Sequence, residues 1–352
     1  MKLGIIGFAR SGKTTVFNAI TGSHAAVGAF GSRGANLAAI KVPDERVDAL
    51  AGIYAPKKKT YAEFQFVDVA PNETGESAKA LDSAALTELK NAGALVHVVR
   101  AFENEDVLHP LDRVDPVADC QALEEELQLA DFIVIERRLE RKAKEGKRDR
   151  EYDLLKRCMV HIETGAPLRT MDLSEVEHKE LAGFSFLSMK PMMLLGNYGE
   201  AAIGQDDPAG LQGYADEHGH TLIELCGEME TEVTSLSEEE RTAFRADLGL
   251  GEESRTLFIQ SAYGMLGLMS FLTAGAPEVR AWTIPKNTKA VDAAGVIHSD
   301  IQRGFIRAEV VHFDDYMAAG SMAKAKEAGK VRLEGKEYIV KDGDIIHFRF
   351  NV

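Results

Sequence analysis

Cysteine is scarce in this chain of 352 residues. Its three cysteines, Cys120, Cys158 and Cys226, lie far apart and are odd in number. This pattern offers neither a disulfide framework nor the close ligand spacing of a metal site, and it favours a reducing compartment. We therefore expect a cytoplasmic protein.

Long apolar runs and an excess of basic residues are missing as well. No hydrophobic stretch approaches the length of a membrane span, and the N-terminus lacks the layout of a signal peptide. The formal net charge of −15 argues against binding of nucleic acid by the whole surface. We expect no membrane partner and no DNA partner, while a local basic face would still allow a contact with RNA.

Residues 7–14, with the sequence GFARSGKT, match the phosphate-binding pattern G-x-x-x-x-G-K-[ST] of P-loop nucleotide hydrolases. The apolar run 2–6 before them predicts a strand, and the helical spacing of 15–20 after them predicts a helix. In that setting, the N–H groups of the loop and the positive end of the helix bind phosphate. The alternative is an ordinary strand–turn–helix in which the motif arises by chance.

This interpretation assigns roles to the side chains of the loop. Lys13 is expected to reach the β- and γ-phosphates and to act in catalysis, and the Thr14 hydroxyl is expected to bind Mg²⁺. The nucleotide phosphates would lie against a continuous run of residues, which are Ala9, Arg10, Ser11, Gly12, Lys13, Thr14 and Thr15.

Two further residues are candidates for the metal site. Residues 61–70 predict a strand, and Asp68 near its end stands where a Walker B carboxylate holds Mg²⁺ through water, although it could instead cap the next turn. The segment 21–35 is rich in Gly, Ala and Ser and predicts a loop of the first-switch type. Its Ser32 is a candidate Mg²⁺ ligand and equally an ordinary loop residue.

The residues after Asp68 depart from the D-x-x-G pattern of GTPases. Pro71 takes the place of the glycine whose N–H contacts the γ-phosphate, and proline has no N–H. Asn72 occupies the position of the water-orienting residue, so it is a candidate catalytic residue. We expect weak discrimination between nucleoside triphosphate and diphosphate.

The base is expected to meet residues 197–200 (NYGE), which follow a predicted strand where GTPases carry N-K-x-D. The Glu200 carboxylate can accept hydrogen bonds from guanine, whereas adenine would require that Glu200 is displaced and that Asn197 serves the base edge. The alternative is a strand-end turn that needs Asn and Gly. Cys226 and Gly227 lie where a base-supporting loop would be.

The overall composition, 45% hydrophobic and 28% charged residues, is that of a globular protein with two or three domains. Residues 118–144 and 148–164 predict two charged antiparallel helices, an inserted hairpin whose tip carries the basic run 137–150. That tip is either a solvated surface or a contact for RNA or an acidic partner. Residues 258–274 predict an apolar helix.

The pattern of predicted elements changes in the C-terminal part. After Gly275 the sequence predicts short strands around turns, which indicate a compact β-rich domain resembling a ubiquitin-like grasp. Those strands are 279–284, 305–311, 338–340 and 346–350. The other predicted elements are strands 36–42, 94–102, 191–196 and 222–226 and helices 44–53 and 237–248, the last with a capping box of Ser237 and Glu240.

Several motifs together carry a resemblance to a known family. They are HVVR (97–100), RAWT (280–283), AGVIH (294–298), GFIRAE (304–309) and DGDIIHFRFNV (342–352). On these residues the chain resembles the YchF, or Obg-like ATPase, family of the P-loop GTPase class. The resemblance implies that ATP is bound alongside or in preference to GTP, and that the partner is the ribosome or ribosomal RNA.

The resemblance also implies an α/β fold of three parts. They are a P-loop NTPase domain with a mostly parallel sheet (1–117 and 190–275), an inserted α-helical hairpin domain (118–189) and a C-terminal β-grasp-like TGS domain (276–352).

The departures from the family pattern lie at the phosphates. Arg10 and Ser11 stand in place of Asn-Val, Pro71 and Asn72 in place of Gly-Leu, and Ser32 in place of the first-switch Thr. In P-loop GTPases that need K⁺, an Asn at this position of the loop helps to hold the ion. Arg10 cannot bind K⁺, so its guanidinium either takes the place of that ion, as a built-in arginine finger, or turns to solvent. These changes bear on the rate and on the γ-phosphate response more than on binding.

The sequence thus predicts a Mg²⁺-dependent NTPase, a monomer that binds ATP or GTP, hydrolyses it slowly and acts as a switch on the ribosome. The alternative hypothesis is a hydrolysis-deficient nucleotide-binding adaptor that works through its helical and TGS domains. A metabolite kinase fits less well, because the chain has no lid-type arginine cluster and a kinase would not need a TGS domain.

Overall fold

The computed structural model describes residues 1–22, 36–68, 80–202, 205–234, 236–237, 240 and 254–351. The chain forms two compact units. The first comprises Met1–Ala38 and Gln65–Phe258, and the second comprises Ala39–Phe64 and Ile259–Val352.

The elements are labelled in chain order. The described strands are β1 (Lys2–Ile6), β2 (Asn36–Lys41), β3 (Lys58–Thr60), β4 (Glu63–Asp68), β5 (Ala94–Ala101), β6 (Met192–Tyr198), β7 (Thr221–Leu225), β8 (Leu268–Ala274), β9 (Glu278–Pro285), β10 (Phe305–His312), β11 (Arg332–Glu334) and β12 (Asp344–Phe350). The described helices are α1 (Lys13–Thr21), α2 (Glu45–Tyr54), α3 (Ser83–Lys90), α4 (Pro116–Lys144), α5 (Arg150–Glu163), α6 (Glu175–Leu181), α7 (Leu211–His218), α8 (Gly227–Thr234), α9 (Ser254–Met265), α10 (Ala290–Ile297), α11 (Ser299–Arg303), α12 (Phe313–Ala319) and α13 (Met322–Glu327). Within the described ranges, no helix combines the length and the apolar content that crossing a bilayer requires.

The first sheet has the strand order β2-β4-β1-β5-β6-β7. The pairs β4–β1, β1–β5, β5–β6 and β6–β7 are parallel, so the predicted α/β class with a mostly parallel sheet is confirmed. Its central strands β5 and β6 are almost continuously buried, as is usual for parallel strands covered on both faces. Because the carboxyl ends of parallel strands meet at one edge, the residues that follow β1, β5, β6 and β7 lie there, as does Asp68, the last residue of β4.

The predicted helical hairpin is also confirmed. Helices α4 and α5 begin at the N-caps Asp115 and Asp149. At the tip, Arg138 bonds Glu151 and Lys142 bonds Asp149, so acidic residues of the hairpin neutralise part of its basic run. The hairpin has an apolar cluster of its own, formed by Ile135, Leu139, Leu154, Leu155, Cys158, Ile162, Leu168, Leu181 and Phe186.

The second sheet has the strand order β11-β10-β12-β8-β9-β3. Strand β10 is antiparallel to β11 and β12, and β8 is antiparallel to β9, which confirms the predicted β-rich C-terminal part. The predicted strands 279–284, 305–311 and 346–350 are present as β9, β10 and β12. Residues 338–340 instead contribute an isolated bridge between Ile339 and Lys289.

The predicted apolar helix 258–274 is confirmed as far as Met265 and is wrong beyond it. Helix α9 ends at Met265, Gly267 adopts a φ of 66°, and β8 follows and pairs with β9. A short apolar run has the same pattern in a buried helix and in a buried strand, so hydrophobicity alone did not separate them. The pairing with β9 makes residues 268–274 a strand.

The segment Ala39–Phe64 belongs to the second unit, although the sequence analysis places it within the nucleotide-binding domain 1–117. Its strand β3 pairs with β9, and Arg46 forms ion pairs with Asp44 at 2.8 Å and Asp342 at 2.7 Å. Strand β9 and Asp342 are distant in sequence from this segment, and the three residues of β3 are too few to show an alternating pattern. The three domain boundaries stay a prediction.

Candidate nucleotide site

The loop 7–14 leads from β1 into α1, as predicted, and two glycines shape it. Gly7 has a φ of 145° and Gly12 a φ of 89°, values that other residues rarely adopt. A Cβ atom on Gly7 would lie 2.4 Å from the Val98 carbonyl oxygen, and one on Gly12 would lie 2.1 Å from Asn197 Nδ2. Packing and backbone conformation therefore both require glycine at these positions.

Lys13 is 5% exposed and folds back onto the loop. Its Nζ donates to the carbonyl oxygens of Gly7 at 2.7 Å and Phe8 at 2.6 Å. Burial lowers the pKa of Lys13 to about 8, and the Asp68 carboxylate opposes that shift. A phosphate oxygen is a stronger acceptor than a carbonyl because it is charged, so Lys13 can exchange these partners for phosphate.

Thr14 and Asp68 meet, as the metal-site prediction requires. The Thr14 hydroxyl donates to Asp68 Oδ2 at 3.2 Å, and Asp68 is buried at the end of β4. Both offer hard oxygen ligands, which Mg²⁺ prefers, and Mg²⁺ in nucleotide sites takes its other ligands from phosphates and water. The two residues therefore fit Mg²⁺. Ser32, Pro71 and Asn72 lie outside the described residues.

Asn197 ties two loops of the site together. It lies buried at the carboxyl end of β6, where its Nδ2 donates to the Ser11 carbonyl oxygen at 3.0 Å and its Oδ1 accepts from the Gly227 N–H at 3.0 Å. Gly227 is the first residue of α8, so the predicted base-supporting loop continues directly into a helix. Both ends of the Asn197 amide thus serve the protein, and its contact with a base edge stays a prediction.

The other predicted contact residues are divided between the loop and the rim of the site. Ala9, Ser11 and Thr15 are buried or half-buried in and beside the phosphate loop. Cys226 is buried just before α8, whereas Glu200 is exposed in a short 3-10 turn after β6. The capping box of Ser237 and Glu240 is present, with the Ser237 N–H donating to the Glu240 carboxylate at 2.8 Å.

Arg10 has a partner that the sequence analysis did not foresee. Its exposed side chain donates from Nη1 to the Leu108 carbonyl oxygen at 3.0 Å. Its φ of 63° lies in the left-handed region that residues other than glycine rarely occupy. The side chain therefore starts from a contact with the loop after β5, and a role as an arginine finger would require it to leave Leu108.

A buried histidine–aspartate pair lies at the base of that loop and also escaped the sequence analysis. His109 Nε2 lies 2.9 Å from Asp119 Oδ2, and both residues are buried. Burial lowers the pKa of His109 to about 4 and raises that of Asp119 to about 6. Because His109 Nδ1 accepts from the Leu111 N–H, the proton of the neutral ring is on Nε2, facing the carboxylate. No spacing or motif in the sequence marks this pair.

Comparisons with known proteins agree with this geometry. A family model described as a 50S ribosome-binding GTPase matches residues 2–137, and a model for the C-terminal part of the YchF GTPase, described as a protein of unknown function, matches residues 268–351. The ribosome-binding ATPase YchF of Bacillus subtilis (strain 168) is 39% identical, with 99% of each chain covered. That of Escherichia coli O157:H7 is also 39% identical, with 100% of this chain and 99% of its own length covered.

A solved structure agrees with them over nearly the full length. The YchF GTPase of Schizosaccharomyces pombe has a TM-score of 0.89 and 31% identity, with 99% of this chain and 97% of that chain covered. The matched part of the chain therefore includes the phosphate loop, the helical hairpin and the C-terminal sheet. This chain therefore belongs to the YchF family of P-loop nucleotide hydrolases.

Proposed function

We propose that this protein binds ATP or GTP with Mg²⁺, hydrolyses it slowly and acts as a switch on the ribosome. The observation that carries the proposal is the meeting of Lys13, Thr14 and Asp68 at one edge of the parallel sheet. Relatives named ribosome-binding ATPases, and a solved relative named a GTPase, support it. We further propose a cytoplasmic monomer without a membrane or DNA partner.

Each part of the site has a task in this proposal. The N–H groups of the loop and the N-terminus of α1 bind phosphate, and Lys13 turns from the loop carbonyls to the β- and γ-phosphates. Thr14 and Asp68 would hold Mg²⁺, which neutralises charge on the transferred phosphate. Asn197 holds the phosphate loop next to the N-terminus of α8, because its amide bonds both Ser11 and Gly227.

Single-turnover hydrolysis tests the enzymatic part of the proposal. Purified protein in excess over labelled ATP or GTP is incubated with Mg²⁺ or with a chelator, and we expect product only with Mg²⁺. Binding without hydrolysis would instead identify a hydrolysis-deficient adaptor. Sedimentation with ribosomes in the presence of ATP or ADP tests the proposed association with the ribosome. Protein that stays in the supernatant with both nucleotides would contradict the proposed role as a switch.

ATP is expected to bind at least as tightly as GTP. Tyr198 is packed in the core at the position of the GTPase lysine, and Glu200 is exposed, so neither is held against a guanine base. A hydrogen bond to a base edge is worth about 1 kcal/mol, so the preference should be within about tenfold. Calorimetric titration with both nucleotides measures it. Glu200→Asp should move the preference toward GTP, and a GTP affinity about a hundredfold above that for ATP would contradict the prediction.

Hydrolysis should be unchanged when Na⁺ replaces K⁺. The guanidinium of Arg10 has no lone pair for K⁺ and carries its own positive charge. The assay compares the two salts at equal ionic strength, and strong K⁺ stimulation of the unmodified protein would contradict the expectation. Arg10→Ala then separates the two roles of Arg10. If Arg10 acts as a finger, Arg10→Ala should lower the turnover on the order of 10³-fold. If the side chain stays on Leu108, its removal should change the turnover little.

A further inference from the structure

Arg100 ranks first among the large side chains that are fully buried in the described residues, with an exposure of 1%. It lies on β5, opposite Asn197 of β6 in the parallel register, at the edge of the sheet that carries the phosphate loop. A guanidinium is rarely removed from water without partners, because the loss of hydration is costly. The groups that the buried guanidinium contacts therefore indicate the role of Arg100.

Those partners are backbone carbonyls and one aromatic ring. Nη1 donates to the Arg10 carbonyl oxygen at 3.4 Å, and Nε donates to the Phe102 carbonyl oxygen at 3.1 Å. The guanidinium carbon lies 4.5 Å from the centre of the Phe102 ring. Among the described residues, no carboxylate lies within the 4.0 Å of an ion pair. The guanidinium is thus hydrogen-bonded to the phosphate loop, while the carboxylates of Glu103 and Asp119 act on its charge only from beyond ion-pair distance.

The carbonyl that Arg100 holds belongs to a strained position of the loop. Arg10 has a φ of 63°, and its own side chain makes a separate contact with Leu108. A residue with a Cβ atom keeps this left-handed conformation where surrounding groups hold it. The guanidinium of Arg100 is one such group, because it donates a hydrogen bond to the Arg10 carbonyl oxygen.

We propose that Arg100 is a positioning residue for phosphate binding. Its hydrogen bond holds Arg10 in the left-handed conformation, and this keeps the N–H groups of residues 11–14 in the arrangement that receives phosphate. The inference rests on the proposed nucleotide binding, but the positioning itself is a property of the nucleotide-free protein.

A comparison of three backgrounds tests this role. Arg100→Met keeps most of the side-chain length and removes the donors and the charge. It is made in the unmodified protein, in Arg10→Gly and in Arg10→Ala. Both Arg10 variants lack the side chain, but glycine adopts a positive φ without strain and alanine does not. ATP affinity is measured by calorimetry, and thermal denaturation reports whether each variant is folded.

We expect Arg100→Met to weaken ATP binding about tenfold in the unmodified protein and in Arg10→Ala, but less than about threefold in Arg10→Gly. A smaller loss of ATP affinity in the Arg10→Gly background alone would show that Arg100 acts through the backbone of Arg10. Equal losses in all three backgrounds would overturn the proposal, because Arg100 would then act through charge or general stability. So would the absence of any loss in the unmodified protein.

Amide hydrogen exchange of the nucleotide-free protein is the second readout. Residues 11–14 should exchange faster in Arg100→Met, and the difference should shrink in the Arg10→Gly background. If the unmodified protein binds no nucleotide, the proposed function fails, while unchanged exchange would refute the positioning role separately. If Arg100→Met does not fold, Arg100→Lys takes its place with the same expectations, because lysine keeps the charge but not the planar fork of donors.

Discussion

Replacing Lys13 with methionine is expected to lower nucleotide turnover on the order of 10²–10³-fold, the usual effect of removing one donor that stabilises developing charge. Lys13 is the cation that binds the phosphates in the proposed function, and it is 5% exposed. Methionine fills a similar volume without a buried charge, so the melting temperature should be unchanged or raised. Single-turnover hydrolysis and thermal denaturation measure the two effects.

Lys190→Met is the matched control for this variant. Lys190 is half-buried, and its Nζ donates to the carbonyl oxygens of Lys90 at 3.1 Å and Ala92 at 2.6 Å, which are partners of the same kind away from the phosphate loop. Its turnover should equal that of the unmodified protein. If Lys13→Met instead retains turnover within about threefold, Lys13 does not stabilise the transition state.

The same lysine should make stability depend on pH in the alkaline range. Burial lowers the pKa of Lys13 from 10.5 to about 8 in the nucleotide-free protein. Between those values the unfolded chain binds more protons than the folded chain, so the free energy of unfolding should rise with pH. Lys13→Met should remove this rise. Phosphate favours the ammonium form, so ATP binding near pH 8 should take up a proton, which calorimetry detects as a buffer-dependent enthalpy.

Asn197→Ala is expected to have the second largest effect, on stability as well as on binding. It leaves the Ser11 carbonyl and the Gly227 N–H without the partner that joins them, at a cost of about 2–4 kcal/mol in the free energy of unfolding. ATP affinity should fall too, because the phosphate loop is no longer tied to α8. Chemical denaturation and calorimetric titration with ATP measure these losses.

Asn104→Ala is the control for Asn197→Ala. Asn104 also bonds the backbone, since its Oδ1 accepts from the N–H groups of Asp106 at 3.0 Å and Val107 at 3.1 Å, but it lies in an exposed turn. We expect a loss of about 1 kcal/mol or less and unchanged ATP affinity. Equal stability and equal affinity in Asn197→Ala and the unmodified protein would contradict the tie between the loops.

Local sequence patterns were sufficient to predict the elements that carry the site. The strand, loop and helix around residues 7–14, the strand that ends at Asp68 and the hairpin of α4 and α5 all follow from motif spacing or from the period of apolar residues. Each of these signals depends on residues a few positions apart, which is the range over which backbone hydrogen bonding imposes a period. The run 258–274 marks the limit, because its apolar residues suit a helix and a strand equally.

Only the tertiary structure decided which partners the buried polar groups have. Arg100 bonds the carbonyl of Arg10, 90 positions earlier, and Asn197 bonds that of Ser11, 186 positions earlier. The order of the strands makes these pairs, since it sets the carboxyl ends of β1, β5 and β6 side by side. Parallel strands pair through their backbones whatever side chains they carry, so no period in the sequence records that order. The sequence by itself was enough to predict a phosphate loop and a candidate metal-binding carboxylate, and the fold determined that a buried arginine and a buried asparagine donate hydrogen bonds to the backbone of that loop.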